Sequence, residues 1–187
     1  MYKRQPLNCR TPHDAIVNGV VMVPEDRKLQ GIIPRMSVGR NISIGSLDQI
    51  TNRLGFVNTR REEQIGLEGK ANFNIKTPDL EKPIVELSGG NQQKAIVARW
   101  MSTKPEVLIL DEPTKGIDVG AKSEFYNMIC EFAKEGLAVI LISSELPEVI
   151  GLSDRIIVMR GRRIVGEISA KDATEEKLLS MAMMEET

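Results

Sequence analysis

The sequence is poor in the residues that build disulfide scaffolds and zinc sites. Its 187 residues include two cysteines and one histidine. Cys9 and Cys130 lie far apart and lack CxxC or Cys/His spacing, so we expect neither a disulfide framework nor a zinc site. His13 lies near the start of the first predicted helix, where a solvated or capping role outweighs a ligand role. A reducing compartment is therefore the default expectation.

An excess of one charge and long apolar runs are also missing. Lysine and arginine total 25 against 26 acidic residues, a formal net charge of −1. This balance gives no electrostatic reason to expect binding to nucleic acid or to an anionic membrane. No apolar run approaches the roughly 20 residues that a membrane span requires. Any membrane contact is expected to run through a partner protein.

The first residues of the chain are not predicted to belong to a folded element. Residues 1–10 are predicted to be a poorly ordered start, and Met1–Gln5 resemble a translated sequencing adapter rather than native protein. Thr11 and Pro12 then predict the N-terminus of a short helix that Gly19 ends. Val20–Val23 predict a buried strand, and residues 11–33 are assigned to the first segment of the core domain. The charged loop Pro24–Lys28 that follows is simplest to interpret as solvated.

The remaining pattern predicts an α/β fold with a helical insertion. Residues 34–100 are predicted to form a helical subdomain, with amphipathic helices over 37–49 and 59–69 and a last helix after Gly90. Residues 101–187 return to the core: strands at 107–110 and 137–142 flank a helix from Val119 to Glu135 capped by Asp118. A hairpin at 155–168 and a helix over 174–184 complete the chain. This alternation of strand and helix indicates a parallel sheet.

Two motifs carry the chemistry. The first is LSGGNQQK at Leu87–Lys94, a Ser-Gly-Gly turn that opens a helix and so brings backbone N–H groups, the helix dipole and a hydroxyl to one point suited to phosphate. The second is LILDEP at Leu108–Pro113, which delivers Asp111 and Glu112 to the end of a buried strand, where a metal-bound phosphate could lie. Their order and spacing predict nucleotide hydrolysis.

These motifs resemble the ATP-binding subunits of ATP-binding cassette (ABC) transporters over nearly the whole chain after residue 10. The continuation NQQK, the PEDRK loop at Pro24–Lys28 and the KGIDVG ending at Gly120 are most similar to the second cassette of tandem ribose, galactose and xylose importers. The resemblance implies a partial P-loop NTPase core of the RecA-like type and an N-terminally truncated fragment. It also implies ATP and Mg²⁺ as cofactors.

The resemblance also implies a role for each matching residue. Ser88, Gly89 and Gly90 would grip the γ-phosphate of a nucleotide held by a second cassette. Asp111 would hold Mg²⁺ through a water, and Glu112 would orient or deprotonate the attacking water. Gln92 is assigned to the nucleotide-binding set. For Asp118 a helix cap and a role in the loop that communicates across the dimer stay equally open.

Three departures from the family pattern qualify these roles. No GxxxxGK followed by Ser or Thr occurs in the sequence, so the phosphate loop is missing and the isolated chain is expected to hold ATP poorly. Ser144 occupies the switch position where most family members have a histidine. Glu25 stands where the family has a glutamine; its carboxylate could bind Mg²⁺ or a water. Such a pattern resembles the degenerate half of a two-cassette subunit.

Three functions remain as hypotheses. The favoured one is the ATP-binding and hydrolysing subunit of a monosaccharide importer, peripheral on the cytoplasmic face of the inner membrane. Its partners would be a second cassette, a transmembrane sugar permease and, indirectly, a periplasmic sugar-binding protein. The second is a non-catalytic module that only completes a partner's ATP site. The third, a cassette ATPase acting on DNA or ribosomes, is disfavoured because neither heptads nor a basic block occurs.

Overall fold

A computed structural model describes residues 7–183 of the chain. Met1–Gln5, interpreted above as an adapter remnant, and Met184, placed above at the end of the last helix, lie outside the described residues. Helix α1 (Pro12–Val17) begins at a capping box, in which the Thr11 hydroxyl accepts from the Asp14 N–H and the Asp14 carboxylate accepts from the Thr11 N–H. The helix that Thr11 and Pro12 predict is confirmed.

The centre of the fold is a parallel sheet of three strands. Strand β1 (Val20–Val23) pairs with β2 (Val107–Asp111), and β2 pairs with β3 (Ala138–Ile142). The order β1-β2-β3 leaves β2 in the middle. Parallel neighbours need long crossovers, which are made here by helices, and the parallel topology predicted from the sequence is confirmed.

Only one face of this sheet is covered within residues 7–183. Val23, Leu108 and Leu110 are fully buried on that face, whereas Met22 is 44% exposed and Ile140 is 51% exposed on the other. The prediction of fully buried strands is therefore wrong for alternate residues. The reason is that side chains alternate across a strand, and each strand presents half of its residues to the uncovered face.

The helical part lies between β1 and β2 along the chain. A π-helical turn (Arg27–Gly31) follows β1, and then α2 (Val38–Ser43), α3 (Leu47–Ile50), α4 (Thr59–Asn72) and α5 (Gly89–Met101). The helix predicted over 37–49 is broken into α2, a 3₁₀ turn (Ile44–Ser46) and α3. It breaks because Gly45 lies against the backbone of Arg99, and this contact fixes the turn.

The helices and the sheet share one continuous hydrophobic core. Ile42 and Ile65 of the helical part belong to the same buried cluster as Ile96 of α5 and Leu108 of β2. Helix α5 is the link, because it packs on both β1 and α2. Helix α5, which begins at the Ser88–Gly90 turn, is thus anchored to the sheet as well as to the helical part.

The C-terminal third follows the predicted order. Helix α6 (Val119–Lys134) precedes β3, and α7 (Leu146–Leu152) follows it. Strands β4 (Arg155–Arg160) and β5 (Arg163–Ser169) form the predicted antiparallel hairpin, and α8 (Glu175–Met183) packs on it. None of the helices between Leu7 and Met183 has both the length and the apolar character needed to cross a membrane.

Candidate functional site

The turn at Ser88–Gly90 leaves the N-terminus of α5 open. Ser88 has the extended backbone of an N-cap residue, but within residues 7–183 no side chain makes the capping hydrogen bond. The Ser88 hydroxyl instead accepts from the Asn91 side-chain amide at 2.9 Å, and the Asn91 side-chain oxygen, Oδ1, accepts from the Lys76 N–H. Because the first N–H groups of a helix have no intrahelical partner, those of α5 remain available to an external acceptor.

The two glycines of the turn allow close approach by neighbouring elements. A Cβ atom at Gly89 would lie 2.6 Å from the Arg27 guanidinium, and one at Gly90 would lie 3.1 Å from the Ala121 Cβ of α6. Ser88 is exposed, Gly89 is half-buried and Gly90 is buried. The turn therefore presents one edge to solvent while its other edge is packed.

Gln92 is placed differently from its prediction. Its side chain is 6% exposed, and its amide donates to the carbonyl oxygens of Ile84 and Leu87 at 3.3 and 3.1 Å. These contacts hold the segment that leads into the turn. Gln92 faces the protein interior and supports the turn instead of facing a ligand.

The two carboxylates follow the central strand as the sequence predicts. Asp111 is the last residue of β2, and Glu112 comes next with φ at +44°, a left-handed conformation that is uncommon for a residue other than glycine. The Glu112 N–H donates to the Ile142 carbonyl at 2.9 Å and so continues the pairing with β3. A left-handed residue at this point is the kind of backbone strain found at functional sites.

Negative charge accumulates beside Asp111. Burial, followed by the charges of Glu25 and Glu112, raises the pKa of Asp111, and Lys115 opposes the shift. Glu25 is bound by Lys115, whose Nζ lies 2.6 Å from the Glu25 Oε1; this contact raises the pKa of Lys115. The structure thus brings together Glu25, Asp111 and Glu112, with Lys115 as their counter-charge.

Asp118 and Ser144 lie in the neighbouring loops. The Asp118 carboxylate caps α6, accepting from the Ala121 N–H at 2.9 Å, so the capping role is confirmed. Ser144 is exposed in the loop after β3. Its neighbour Ser143 donates to Glu148 at 2.7 Å.

Two further residues, which sequence reasoning did not identify, join the loops around the carboxylates. Glu148 of α7 is 4% exposed and accepts from Thr114 and Ser143, which follow β2 and β3. Arg27 donates to the carbonyl oxygens of Lys115 and Gly116 at 2.9 and 3.2 Å, so the charged loop after β1 is not simply solvated as expected. The only sequence signal was a hydroxyl residue close after each strand, Ser143 directly after β3 and Thr114 three residues after β2.

A groove away from the strand ends is also present. It encloses about 950 Å³ between α4, α5 and α6 and is bordered by the Phe73–Phe132 ring pair and the Lys94–Glu124 ion pair. None of the predicted ATP-site residues lines it. The candidate site is an open surface at the strand ends and the α5 N-terminus.

A parallel sheet with carboxylates at the carboxyl ends of its strands defines an α/β domain of the type that binds ligands at that edge. The model of the ABC transporter family matches residues 3–115. The chain belongs to the ABC transporter family, and the identification made from LSGGNQQK and LILDEP is confirmed.

Curated relatives match almost the whole chain. The arabinose import ATP-binding protein AraG of Mannheimia succiniciproducens is 53% identical over 180 residues, which are 96% of this chain and 36% of that protein. The xylose import ATP-binding protein XylG of Yersinia pseudotuberculosis is 46% identical over 185 residues, 99% of this chain and 36% of that protein. The chain thus spans about a third of the length of these relatives.

The fold is found in solved cassettes. The structure of cbiO1 from Clostridium perfringens, part of the ABC transporter complex cbiONQ, has a TM-score of 0.72 at 22% identity and covers 96% of this chain and 68% of that one. This likeness confirms the predicted α/β cassette fold.

Proposed function

We propose that this chain is the ATP-binding component of an ABC-type monosaccharide importer and that its Ser88–Gly90 turn completes an ATP site shared with a second cassette. The observation that carries the proposal is the open N-terminus of α5, whose cap residue is engaged by Asn91 and whose Ser88 is exposed. The names of its arabinose and xylose import relatives support a sugar as the cargo.

The turn acts as an anion donor set. Free N–H groups and the positive end of the α5 dipole stabilise negative charge, and they do so more strongly as charge develops on a transferring phosphoryl group. The Ser88 hydroxyl adds a further donor at the exposed edge. Because the set is held by Gln92 and by the packing of Gly90, it requires little rearrangement to bind phosphate.

The strand-end carboxylates Asp111 and Glu112 belong to the weaker ATP site of this cassette itself, which is distinct from the partner's site that the Ser88–Gly90 turn completes. When bound, ATP would supply the phosphoryl group and Mg²⁺ would neutralise the charge on its oxygens. Between Leu7 and Met183 no three His, Cys, Asp or Glu side chains are arranged to hold a metal ion by themselves. Mg²⁺ usually uses one or two carboxylates together with phosphate oxygens and waters, so Asp111 fits this use, with Glu25 as a second carboxylate once Lys115 releases it.

Glu112 is assigned to the attacking water. Its left-handed backbone differs from the extended backbone of Asp111, the last residue of β2. A carboxylate in that place can orient the water and take its proton. Ser144, exposed in the loop after β3, replaces the switch histidine with a neutral hydroxyl that can donate to a phosphate oxygen but carries no positive charge.

A non-catalytic module is the second candidate, and the missing GxxxxGK sequence favours it for this chain by itself. A chain without that loop lacks the backbone cradle and lysine that bind the β- and γ-phosphates. It would then donate its turn to nucleotide bound by the other cassette. The peripheral inner-membrane location, the permease and the sugar-binding protein belong to the proposal for the full importer.

The test measures phosphate release and nucleotide binding by the chain alone and in a mixture with a second cassette. The second cassette has an intact phosphate loop, but its serine equivalent to Ser88 is substituted. We expect turnover only in the mixture. Ser88→Arg should abolish it by filling the phosphate position, whereas Ser180→Arg, an exposed serine of α8, should leave it unchanged.

Two results would contradict this assignment. Turnover that persists in the mixture with Ser88→Arg would show that the turn is not part of the site. Magnesium-dependent turnover by the chain alone, lost in Glu112→Gln, would show that the chain builds its own phosphate cradle and would reject the non-catalytic alternative.

A further inference from the structure

Arg27 contacts both the Ser88–Gly90 turn and the loop after β2. Its two terminal nitrogens donate to successive carbonyl oxygens, those of Lys115 and Gly116. The guanidinium also lies against Gly89, where a Cβ atom would be only 2.6 Å from Nη2. Three segments that are distant in sequence therefore meet at one planar group.

The surroundings of Arg27 hold it in this place. Asp26 caps the π-helical turn by accepting from the N–H groups of Lys28 and Leu29, which sets the direction in which Arg27 leaves the backbone. At the guanidinium end of the Arg27 side chain, the acceptor residue Gly116 has φ at +67°, a conformation that favours glycine. A planar fork with fixed donors matches two neighbouring carbonyl oxygens in a way that a lysine ammonium cannot.

The contact with Gly89 is not explained by charge attraction. A cation beside a helix N-terminus is opposed by the helix dipole, so the guanidinium gains no electrostatic stabilisation from α5. Its stabilisation comes from the carbonyl oxygens, while its flat surface fixes how far Gly89 can move. The Arg27 Nε is buried and has no hydrogen-bond partner among the described residues, which is a cost that the rest of the contact must offset.

We propose that Arg27 is a positioning residue that holds the Ser88–Gly90 turn and the Lys115–Asp118 loop in a fixed relation, so that both meet a second cassette together. This inference rests on the function proposed above. It assigns a role to Arg27, to which the sequence motifs gave none. Because Glu25 of the same loop is bound to Lys115, movement of that loop is transmitted to the same segment by two contacts.

The first experiment uses the chain alone and does not depend on ATP turnover. Amide hydrogen exchange is compared for the native chain, Arg27→Met, Arg27→Lys and Lys28→Met, the last being an exposed neighbour on the same turn. Arg27→Met should speed exchange at the amides of Lys115 and Ile117, which bond within that loop, with the centre of α6 unchanged. Unchanged exchange in both the loop and the turn would overturn the positioning role.

The second experiment uses the mixture with the phosphate-loop cassette. Arg27→Met should lower kcat by about tenfold or more, because a misplacement of about 1 Å can cost about a hundredfold, while KM for ATP changes less than about twofold. Arg27→Lys should recover part of the rate, since one donor remains. Lys28→Met should match the native chain.

The outcomes separate the two proposals. If the native mixture shows no turnover, the proposed function fails, and the exchange experiment alone decides whether Arg27 links the loops. If the native mixture turns over ATP and Arg27→Met does so at the same rate, the positioning role is refuted while the proposed function stands.

Discussion

Gly45 illustrates how one residue determines the path of the helical part. A Cβ atom there would lie 2.8 Å from the Arg99 carbonyl oxygen and 2.9 Å from its Cγ. Gly45→Ala therefore forces two backbones apart, and we expect it to lower the free energy of unfolding by about 1–3 kcal/mol in urea denaturation.

The matched control for this prediction is Gly151→Ala. Gly151 lies in α7, is exposed and has no heavy atom within 4 Å of an added Cβ. Alanine favours a helix over glycine, so this change should be neutral or stabilise the chain by up to about 1 kcal/mol. Equal destabilisation by both substitutions would show that the contact at Gly45 is not the cause.

At the same scale, sequence placed the site residues but not their geometry. Asp111 and Glu112 were located because an apolar strand leads into them. The φ of +44° at Glu112 could not be predicted, because a left-handed residue other than glycine persists only when its surroundings enforce it. Arg27 was missed for a related reason. Its partners are backbone carbonyl oxygens 88 and 89 residues away, and because every residue has such an oxygen, residue types do not identify them.

At the scale of elements, Arg99 joins α5 to α2 and to the turn after β1. It donates to the Asn41 backbone and side-chain oxygens at 2.6 and 2.8 Å and to the Gly31 carbonyl at 2.7 Å. Burial lowers the pKa of Arg99 to about 10, so the group remains charged at neutral pH. Arg99→Met removes the guanidinium donor from all three oxygens, although the Asn41 Oδ1 still accepts from the Ile33 N–H. We expect a loss of about 3 kcal/mol in unfolding free energy.

Arg40→Met tests whether the loss comes from those contacts. Arg40 precedes Asn41 on α2, and its side chain is exposed. We expect its replacement to change the unfolding free energy by less than about 0.5 kcal/mol. A similar loss in both variants would contradict the role given to Arg99.

The contact between α5 and α6 is expected to depend on pH. The hydrogen bond from Lys94, and then its charge, lowers the pKa of Glu124, while the Lys94 side chain is nearly buried. A carboxyl group with a lowered pKa stabilises the fold above its unfolded pKa and loses that stabilisation as pH falls through its folded pKa. Glu124→Gln should therefore cost about 1 kcal/mol at neutral pH and flatten the acid side of the stability curve below about pH 4.5.

Glu63→Gln provides the control, because Glu63 is exposed on α4. Stability measured by denaturation at pH 3, 4, 5 and 7 should show the same acid dependence as the native chain. A native-like curve for Glu124→Gln would mean that solvent screens the ion pair completely.

The sequence predicted the order of the helices and strands better than it predicted where each one begins and ends. Strands β1 to β3, the helices α5 and α6 and the β4–β5 hairpin were predicted because apolar runs, caps and turn residues mark them locally. The division of 37–49 into α2, a 3₁₀ turn and α3 was not predicted, because it depends on the contact between Gly45 and Arg99, which are 54 positions apart.

At the scale of the whole molecule, the sheet presents an apolar row. Met22, Ile109 and Ile140 are paired across β1, β2 and β3, so their side chains lie side by side on the uncovered face. Parallel sheets are ordinarily covered on both faces, and an exposed apolar row favours association. We expect the chain to bind a hydrophobic dye and to self-associate, most strongly near its isoelectric point of about pH 6, where net charge no longer opposes contact.

Ile140→Lys tests whether this apolar row, rather than the total exposed apolar surface, causes the association. A lysine there places a charge in the middle of the apolar face, so light scattering should show less association at pH 6 and dye binding should fall. Leu54→Lys serves as the comparison, because Leu54 is 82% exposed, more than Ile140, but lies in a loop remote from the sheet. If Leu54→Lys reduces association as much as Ile140→Lys does, the apolar row is not what brings the chains together, and total exposed apolar surface is the cause.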